Sequence, residues 1–240
     1  MLTRISRHLI AGETLSEAVP VLRRLRAQGF WTLLRWLGPV TPFDFSRSVA
    51  LLKKNGLDRQ FLLPLSARVF VPHSESFIWL EPDAKNFHSE SLAMVLNRFE
   101  ASPAVGMVLE SSKRQAAETL LKLMEHRVRV CLTGDSLSLA QRLLTSQGYH
   151  AVVSGDPVFV RRLIRFAASK AIDPESFEIQ LAYGLHPRLA KEVRDQGWKV
   201  RLIVPCGPVW LPYASRLPAE FFGSLVGRLH RRVQNFFESV

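Results

Sequence analysis

The stretch Phe177–Glu220 reads FEIQLAYGLHPRLAKEVRDQGWKVRLIVPCGPVWLPYASRLPAE. Phe177–Tyr183 is a short apolar run of β type, Pro187–Gln196 repeats its apolar positions with a helical period, and Lys199–Pro205 returns to β type. Gly197 falls where the helix should stop before the second strand. A strand, a crossover helix and a second strand make a parallel pair, because an antiparallel pair needs only a tight turn.

The same alternation runs upstream. Strands are predicted at Phe30–Leu37, Gln60–Ser66, Ser76–Glu81, Val105–Glu110, Arg127–Thr133 and Tyr149–Ser154, which with the two above makes eight. Helices are predicted at Phe43–Asn55, His88–Glu100, Ser112–His126, Leu137–Gln147 and Pro157–Ala171. An extra helix, Leu15–Gln28, precedes the first strand, and a terminal helix runs from about Pro218 to the end. Asp156 and Pro157 supply an N-cap and a first-turn proline. Gly148, and Asn55 with Gly56, mark further helix ends. The predicted fold is α/β, a (β/α)8 TIM-type barrel, and the length of 240 residues is close to the ~250 typical of one. One domain, 1–240, with a helical extension at 1–29, is the economical organisation. The weak point is the connection Ala67–Glu75, short for a parallel crossover. Pro64, which removes a ladder donor, lies just before it. Local irregularity is expected at strands 2 and 3.

Composition narrows the function. Cys131 and Cys206 are too few for a disulfide framework, and neither belongs to a metal-ligand motif. Each is expected at the end of a buried strand. The seven histidines contain no pair spaced for zinc. No window approaches the roughly 20 apolar residues that span a bilayer, and a cytoplasmic location is expected. The net charge of +11 comes from 24 Arg and 8 Lys spread along the whole chain. A nucleic-acid reader clusters such charge, so that partner is not favoured.

The opening stretch resembles the C-terminal signature of proline dehydrogenases, with a strand FEFQ-x-x-YG, a helix, a strand VR-x-Y-x-P-x-G, and then Y-x-x-RR-x-x-E. Phe177, Glu178, Gln180, Tyr183 and Gly184 match the first element; Val200, Arg201, Pro205 and Gly207 the second; Tyr213, Arg216 and Glu220 the third. Fainter likenesses continue through TLLRWLG, LLPLSAR, FIWLEPD, VGMVLESSKR and RVCLTGD in the family order. The resemblance implies a barrel end to end, FAD as cofactor and proline as substrate.

The residues that carry the family chemistry do not follow. The first-strand acidic positions fall on Arg35 and Pro39, and the lysine that meets the substrate carboxylate falls on Pro64. The third-strand aspartate falls on Trp79, although a glutamate survives as Glu81, and the flavin-facing glutamine falls on Glu110. The fifth-strand arginine and lysine fall on Cys131 and Gly134, and the sixth-strand histidine falls near Gly155. The eighth-strand tyrosine is Ile203, and the second arginine of the pair is Leu217. One oriented donor in such a site is worth about 2.7–4 kcal/mol of barrier, so losing several implies that ordinary flavin chemistry is gone. No cofactor is expected, FAD being the alternative.

Substrate-binding candidates are Tyr213, Arg216 and Glu220. The last two are four apart, so on a helix they can pair or jointly grip a zwitterion. Glu81 and Glu110 are further pocket candidates at strand ends, either as an acid–base pair or each paired with an arginine such as Arg35 or Arg68. The terminal helix carries Phe222, Leu225, Val226, Leu229, Val233, Phe236 and Phe237 at helical spacing with arginines between, a pattern for core packing or for anionic lipid. Three readings are carried forward. The first is a barrel acting by binding a small carboxylate, an imino acid or a protein partner, with peripheral membrane contact open. The second is an active FAD-dependent proline or imino-acid dehydrogenase, and the third a different barrel enzyme using Glu81 and Glu110.

Overall fold

Helix α1 (Leu15–Ala27) begins at Thr14, whose side chain accepts from the Glu17 backbone N–H, and it buries Leu15, Ala18, Val19, Leu22 and Leu25. The chain then alternates as β1 (Trp31–Trp36), α2 (Pro42–Lys54), β2 (Gln60–Pro64), β3 (Phe77–Glu81), α3 (Ser89–Ala101), β4 (Val105–Glu110), α4 (Ala116–Glu125) and β5 (Arg129–Thr133). It continues as α5 (Leu137–Leu144), β6 (His150–Val153), α6 (Pro157–Ser169), β7 (Phe177–Ala182), α7 (Pro187–Asp195), β8 (Val200–Cys206) and a short α8 (Leu211–Ala214). The computed structural model describes residues 10–39, 41–66, 76–82 and 89–214. The strands form a closed barrel in the order β1 to β8. All neighbours are parallel, and β8 closes onto β1 over six residue pairs, from Trp31 against Arg201 to Trp36 against Cys206.

All eight predicted strands are present, most with an end moved by one or two residues. Val105–Glu110 matches at both ends. Asp156 caps α6, accepting from the Val158 N–H at 2.8 Å, with Pro157 in the first turn. One helix starts late. The segment after β4 makes a turn in which the Lys113 N–H donates to the Glu110 carbonyl, so α4 begins at Ala116 and not at Ser112. The distortion expected at Pro64 is absent from the ladder. Strands β2 and β3 pair over five residues, Gln60 against Phe77 to Pro64 against Glu81. Pro64 is the last residue of its strand and exposed, and the following Leu65 N–H still reaches the Glu81 carbonyl at 2.8 Å. Among the described residues no helix stands between β2 and β3. Segment 67–75 and the terminal helix lie outside the described residues.

Alternate strand residues feed two apolar cores. The larger packs between barrel and helices; the smaller, Leu33, Leu62, Phe77, Trp79, Val108, Cys131, Ala151 and Ile203, fills the barrel interior. Cys206 ends its strand as expected, whereas Cys131 sits in the middle of β5. Both thiols are buried, and burial pushes that of Cys206 up to about 12, so they act as small apolar groups. Among the described residues no helix is long and apolar enough to cross a membrane.

His150 ties β6 to β5 from the outer side. Its Nδ1 accepts from the Val130 N–H at 3.2 Å, and its Nε2 lies 3.1 Å from both the Ser146 hydroxyl and the Gln147 carbonyl. Burial holds this imidazole below its usual range. The unfolded chain, with an ordinary histidine near 6.5, therefore binds the proton first as pH falls. We predict that stability is complete above about pH 6.5 and declines as pH drops below it toward the depressed folded value. His150→Gln should flatten this part of the profile in urea unfolding between neutral and mildly acidic pH. An unchanged slope would show that His150 does not carry it.

Candidate functional site

The barrel interior is stratified. At the N-terminal end, Glu178 of β7 is completely buried and Arg201 of β8 nearly so. Arg201 Nε donates to both Glu178 oxygens at 2.8 Å, and its Nη1 donates to the Thr32 carbonyl of β1 at 2.8 Å. Gln180 Nε2 donates to Glu178 Oε1 at 2.7 Å, and the Tyr149 hydroxyl donates to Glu178 Oε2. Burial and the Glu178 charge raise the Tyr149 phenol, so it stays a donor. Asp58 lies 3.8 Å from Arg201 and accepts from the Thr32 N–H at 2.9 Å.

Above this network the interior is apolar. Trp79, fully buried, packs edge-on to Phe77 with centroids 4.8 Å apart. Its indole N–H reaches Gln60 Oε1 at 3.3 Å. Trp79 faces Gly106 of β4, where a Cβ would meet the indole at 2.7 Å and the Arg129 carbonyl at 2.8 Å. Nothing larger than glycine fits opposite this indole.

At the C-terminal mouth, where barrels keep their sites, Arg35 Nη2 donates to Glu81 Oε2 at 2.7 Å. Both side chains are only partly exposed, and the Tyr213 ring lies 5.4 Å from the Arg35 guanidinium. Burial raises the Tyr213 phenol, with the Glu81 carboxylate adding to this and Arg35 opposing it. The other pocket candidate stands apart from this pair. Glu110 accepts from the Ser112 hydroxyl at 2.6 Å and lies 3.3 Å from Lys113 Nζ. These contacts, the Ser112 hydrogen bond first, hold its carboxyl below the ordinary value. A carboxylate kept ionised is a poor general acid at neutral pH, which disfavours the third reading. The partner of Glu110 is thus Lys113 rather than an arginine.

Of the predicted substrate-binding residues, Tyr213 is at the mouth; Arg216 and Glu220 lie outside the described residues, as do Arg68 and Leu217. Sequence reasoning treated Arg35 only as a neutralising partner and a lost acidic position, yet it is the cation around which the mouth is built. At the β6 end, His186 from the β7–α7 loop lies over Gly155, its Nε2 2.4 Å from where a Cβ would stand. Among the described residues no three His, Cys, Asp or Glu side chains are grouped to hold a metal ion.

A closed eight-stranded parallel barrel with this mouth can be compared with known proteins. No family model matches the sequence. The chain is 21% identical over 260 aligned positions to proline dehydrogenase 1 of Bacillus subtilis subsp. natto, covering 90% of this chain and 86% of that protein. It is 32% identical to the proline dehydrogenase of Deinococcus radiodurans over 77 positions, 25% of that protein. Among solved structures, proline utilization A (PutA) from Bdellovibrio bacteriovorus superposes with a TM-score of 0.72 at 16% identity, over 85% of this chain. PutA from Corynebacterium freiburgense gives 0.64 at 14% identity, over 96% of this chain. The chain spans 31% of the length of either PutA protein. By whole-length sequence likeness and by fold, the chain is related to the proline dehydrogenase family.

The signature residues Glu178, Gln180 and Arg201 are therefore architectural in this barrel. Removing one partner of a buried ion pair leaves the other charge uncompensated, at about 3–5 kcal/mol. Arg201→Met should destabilise the protein by that order in urea unfolding. A loss below about 1 kcal/mol, the scale of an exposed pair, would show that the network is solvated.

Proposed function

We propose that this chain is a proline dehydrogenase-like barrel that binds a small zwitterion of amino- or imino-acid type at its mouth and does not carry out flavin-dependent oxidation. The observation that carries the reading is the Arg35–Glu81 pair beside Tyr213, with Trp79 closing the barrel interior beneath. The pair uses one guanidinium nitrogen and one carboxylate oxygen. Among the described residues, the remaining Arg35 N–H edge is open to a ligand carboxylate and Glu81 Oε1 to an ammonium. The Tyr213 ring would wall the apolar part. Arg216 and Glu220 remain assigned as further ligand contacts on the sequence argument above.

FAD does not fit the described residues. Reduced flavin needs fixed cationic and hydrogen-bonding groups around it. By strand alternation the inward positions on the C-terminal half of the barrel include Pro64, Cys131, Thr133, Val153, Ala182, Ile203 and Pro205, and the charged ones are already engaged, Arg35 with Glu81 and Glu110 with Ser112 and Lys113. The competing reading, an active FAD-dependent dehydrogenase, is favoured by the whole-length likeness to proteins named proline dehydrogenase.

Absorption spectroscopy and calorimetry separate the two. The purified protein should carry no stoichiometric flavin and give no dye reduction with proline. Proline titrated into it should bind, and Arg35→Ala should weaken binding roughly ten- to a hundred-fold, the range for one charged hydrogen bond. Circular dichroism should show the variant folded. Proline-dependent bleaching of a bound flavin would establish the dehydrogenase instead. Absent proline binding, or an affinity that Arg35→Ala leaves unchanged, would remove the mouth as the site.

A further inference from the structure

At the opposite, N-terminal end of the barrel lies a second cleft of about 480 Å³, in the size range of small-molecule sites, whose lining includes Asp58, Arg59, Ser76, Phe77, Arg129 and Arg201. Its charges are unequally satisfied. Arg201 is neutralised by Glu178 at 2.8 Å. Asp58 is occupied by the Thr32 N–H and hydroxyl, with Arg26 and Arg201 each at 3.8 Å. Among the described residues, Arg59 and Arg129 have no carboxylate at ion-pair distance. Arg129 is nonetheless held in place, its guanidinium 4.8 Å from the Phe77 ring and 5.9 Å from that of Tyr149.

A second, independent observation points to the same cleft. Among the described residues the buried side-chain polar atoms without a hydrogen-bond partner are the hydroxyls of Ser76 and Ser102. Ser76 is in the cleft wall, and Ser102 immediately precedes Pro103 and Ala104, which also line it. Buried hydroxyls are ordinarily hydrogen-bonded, so the unpartnered Ser76 hydroxyl in the cleft wall marks a place where a polar ligand is expected.

We propose that this cleft is a binding site for a small organic polyanion, distinct from the mouth, with Arg59 and Arg129 as its charge-bearing contacts and Ser76 as a hydroxyl donor. The guanidinium fork matches phosphate and carboxylate oxygens in the same bidentate manner. The shared chemistry is therefore the oxyanion, and the ligand's source is read from two probes. The faces of Trp31 and Phe77 are already taken by cations, by Arg26 at 4.1 Å and Lys199 at 4.9 Å on Trp31 and by Arg129 on Phe77. Recognition is thus by charge and hydrogen bonding, not by aromatic stacking.

The test is calorimetry on the full chain at low ionic strength, with pyrophosphate as the phosphate probe and citrate as the carboxylate probe. One of them should bind with a stoichiometry of one per chain. Arg59→Gln and Arg129→Gln should each weaken it by at least about tenfold, and Ser76→Ala by less. Arg162→Gln, an exposed cation of α6 on the outside of the barrel, should bind as the wild type does. Should Arg129→Gln fail to fold by circular dichroism, Arg59→Gln carries the test alone. The site is refuted if neither probe binds, if the cleft variants bind normally, or if Arg162→Gln weakens binding equally, since the last would mean attraction to a basic surface at large.

Discussion

Glu178 has no exposed surface, and a carboxylate taken out of water costs several kcal/mol unless a partner meets it. The partner, Arg201, is also the residue that reaches across the seam of the barrel. One guanidinium grips Glu178 on β7, donates to the Thr32 carbonyl on β1, and lies near Asp58 just before β2. Closure of β8 onto β1 joins segments 169 residues apart in the chain, the connection with the largest loop entropy to overcome. Anchored to Glu178 on β7, the Arg201 guanidinium is held where its bond to the Thr32 carbonyl spans that seam and helps set the register in which the sheet closes. Everything at the mouth depends on that register, because the tilt of each strand decides which residue ends at the rim.

The charges of this barrel are confined to its two ends, with an apolar plug between them. In a low-dielectric interior, two ionic groups so separated interact weakly as long as each is locally neutralised. Glu178 is matched by Arg201 below, and Glu81 by Arg35 above. The mouth pair differs from the floor pair in being partly solvated, so it contributes little to stability and is free to exchange partners. A ligand can compete for Arg35 far more easily than for Arg201. An exchangeable pair at the mouth and a rigid one at the floor follow from the same chemistry at two depths.

Much of the architecture was legible because a parallel barrel advertises itself through alternation. Buried strands such as Val105–Glu110 are nearly continuous apolar runs bounded by turns, and the cap at Asp156 marks a helix start. The late start of α4 was not legible, since Ser112–Gln115 has helical composition and the contacts of Glu110 with Ser112 and Lys113, with the Ala116 N–H on the Lys113 carbonyl, hold it as a turn. Family resemblance found Glu178, Gln180 and Arg201 but could not say that they face one another at the barrel floor. Tyr149, Thr32 and Asp58 gave no signal at all. Each is an ordinary polar residue near the start of a strand, and its role exists only once distant strands are adjacent. Arg35 was visible as an anomaly, a cation where the related family has an acid, and its spacing to Glu81 across β1 and β3 is a property of the closed sheet alone.

Trp79 shows why the departures from the family pattern act together. A residue at the centre of a closed barrel has a fixed volume to share with its neighbours, and an indole there is compatible with Gly106 opposite and with little else. Replacing Trp79 by an aspartate would remove a large buried side chain, a loss of about 3–5 kcal/mol for a Trp truncation. It would also strand a carboxylate beside Leu33, Leu62, Val108 and Ile203, where no cation stands. The cation that a family-type site would supply from β5 is Cys131, itself packed in that cluster. A single family-type substitution in this cluster would therefore lower stability without restoring a charge pair. The apolar plug is a cooperative packing solution, and the Arg35–Glu81 pair stands above it at the mouth.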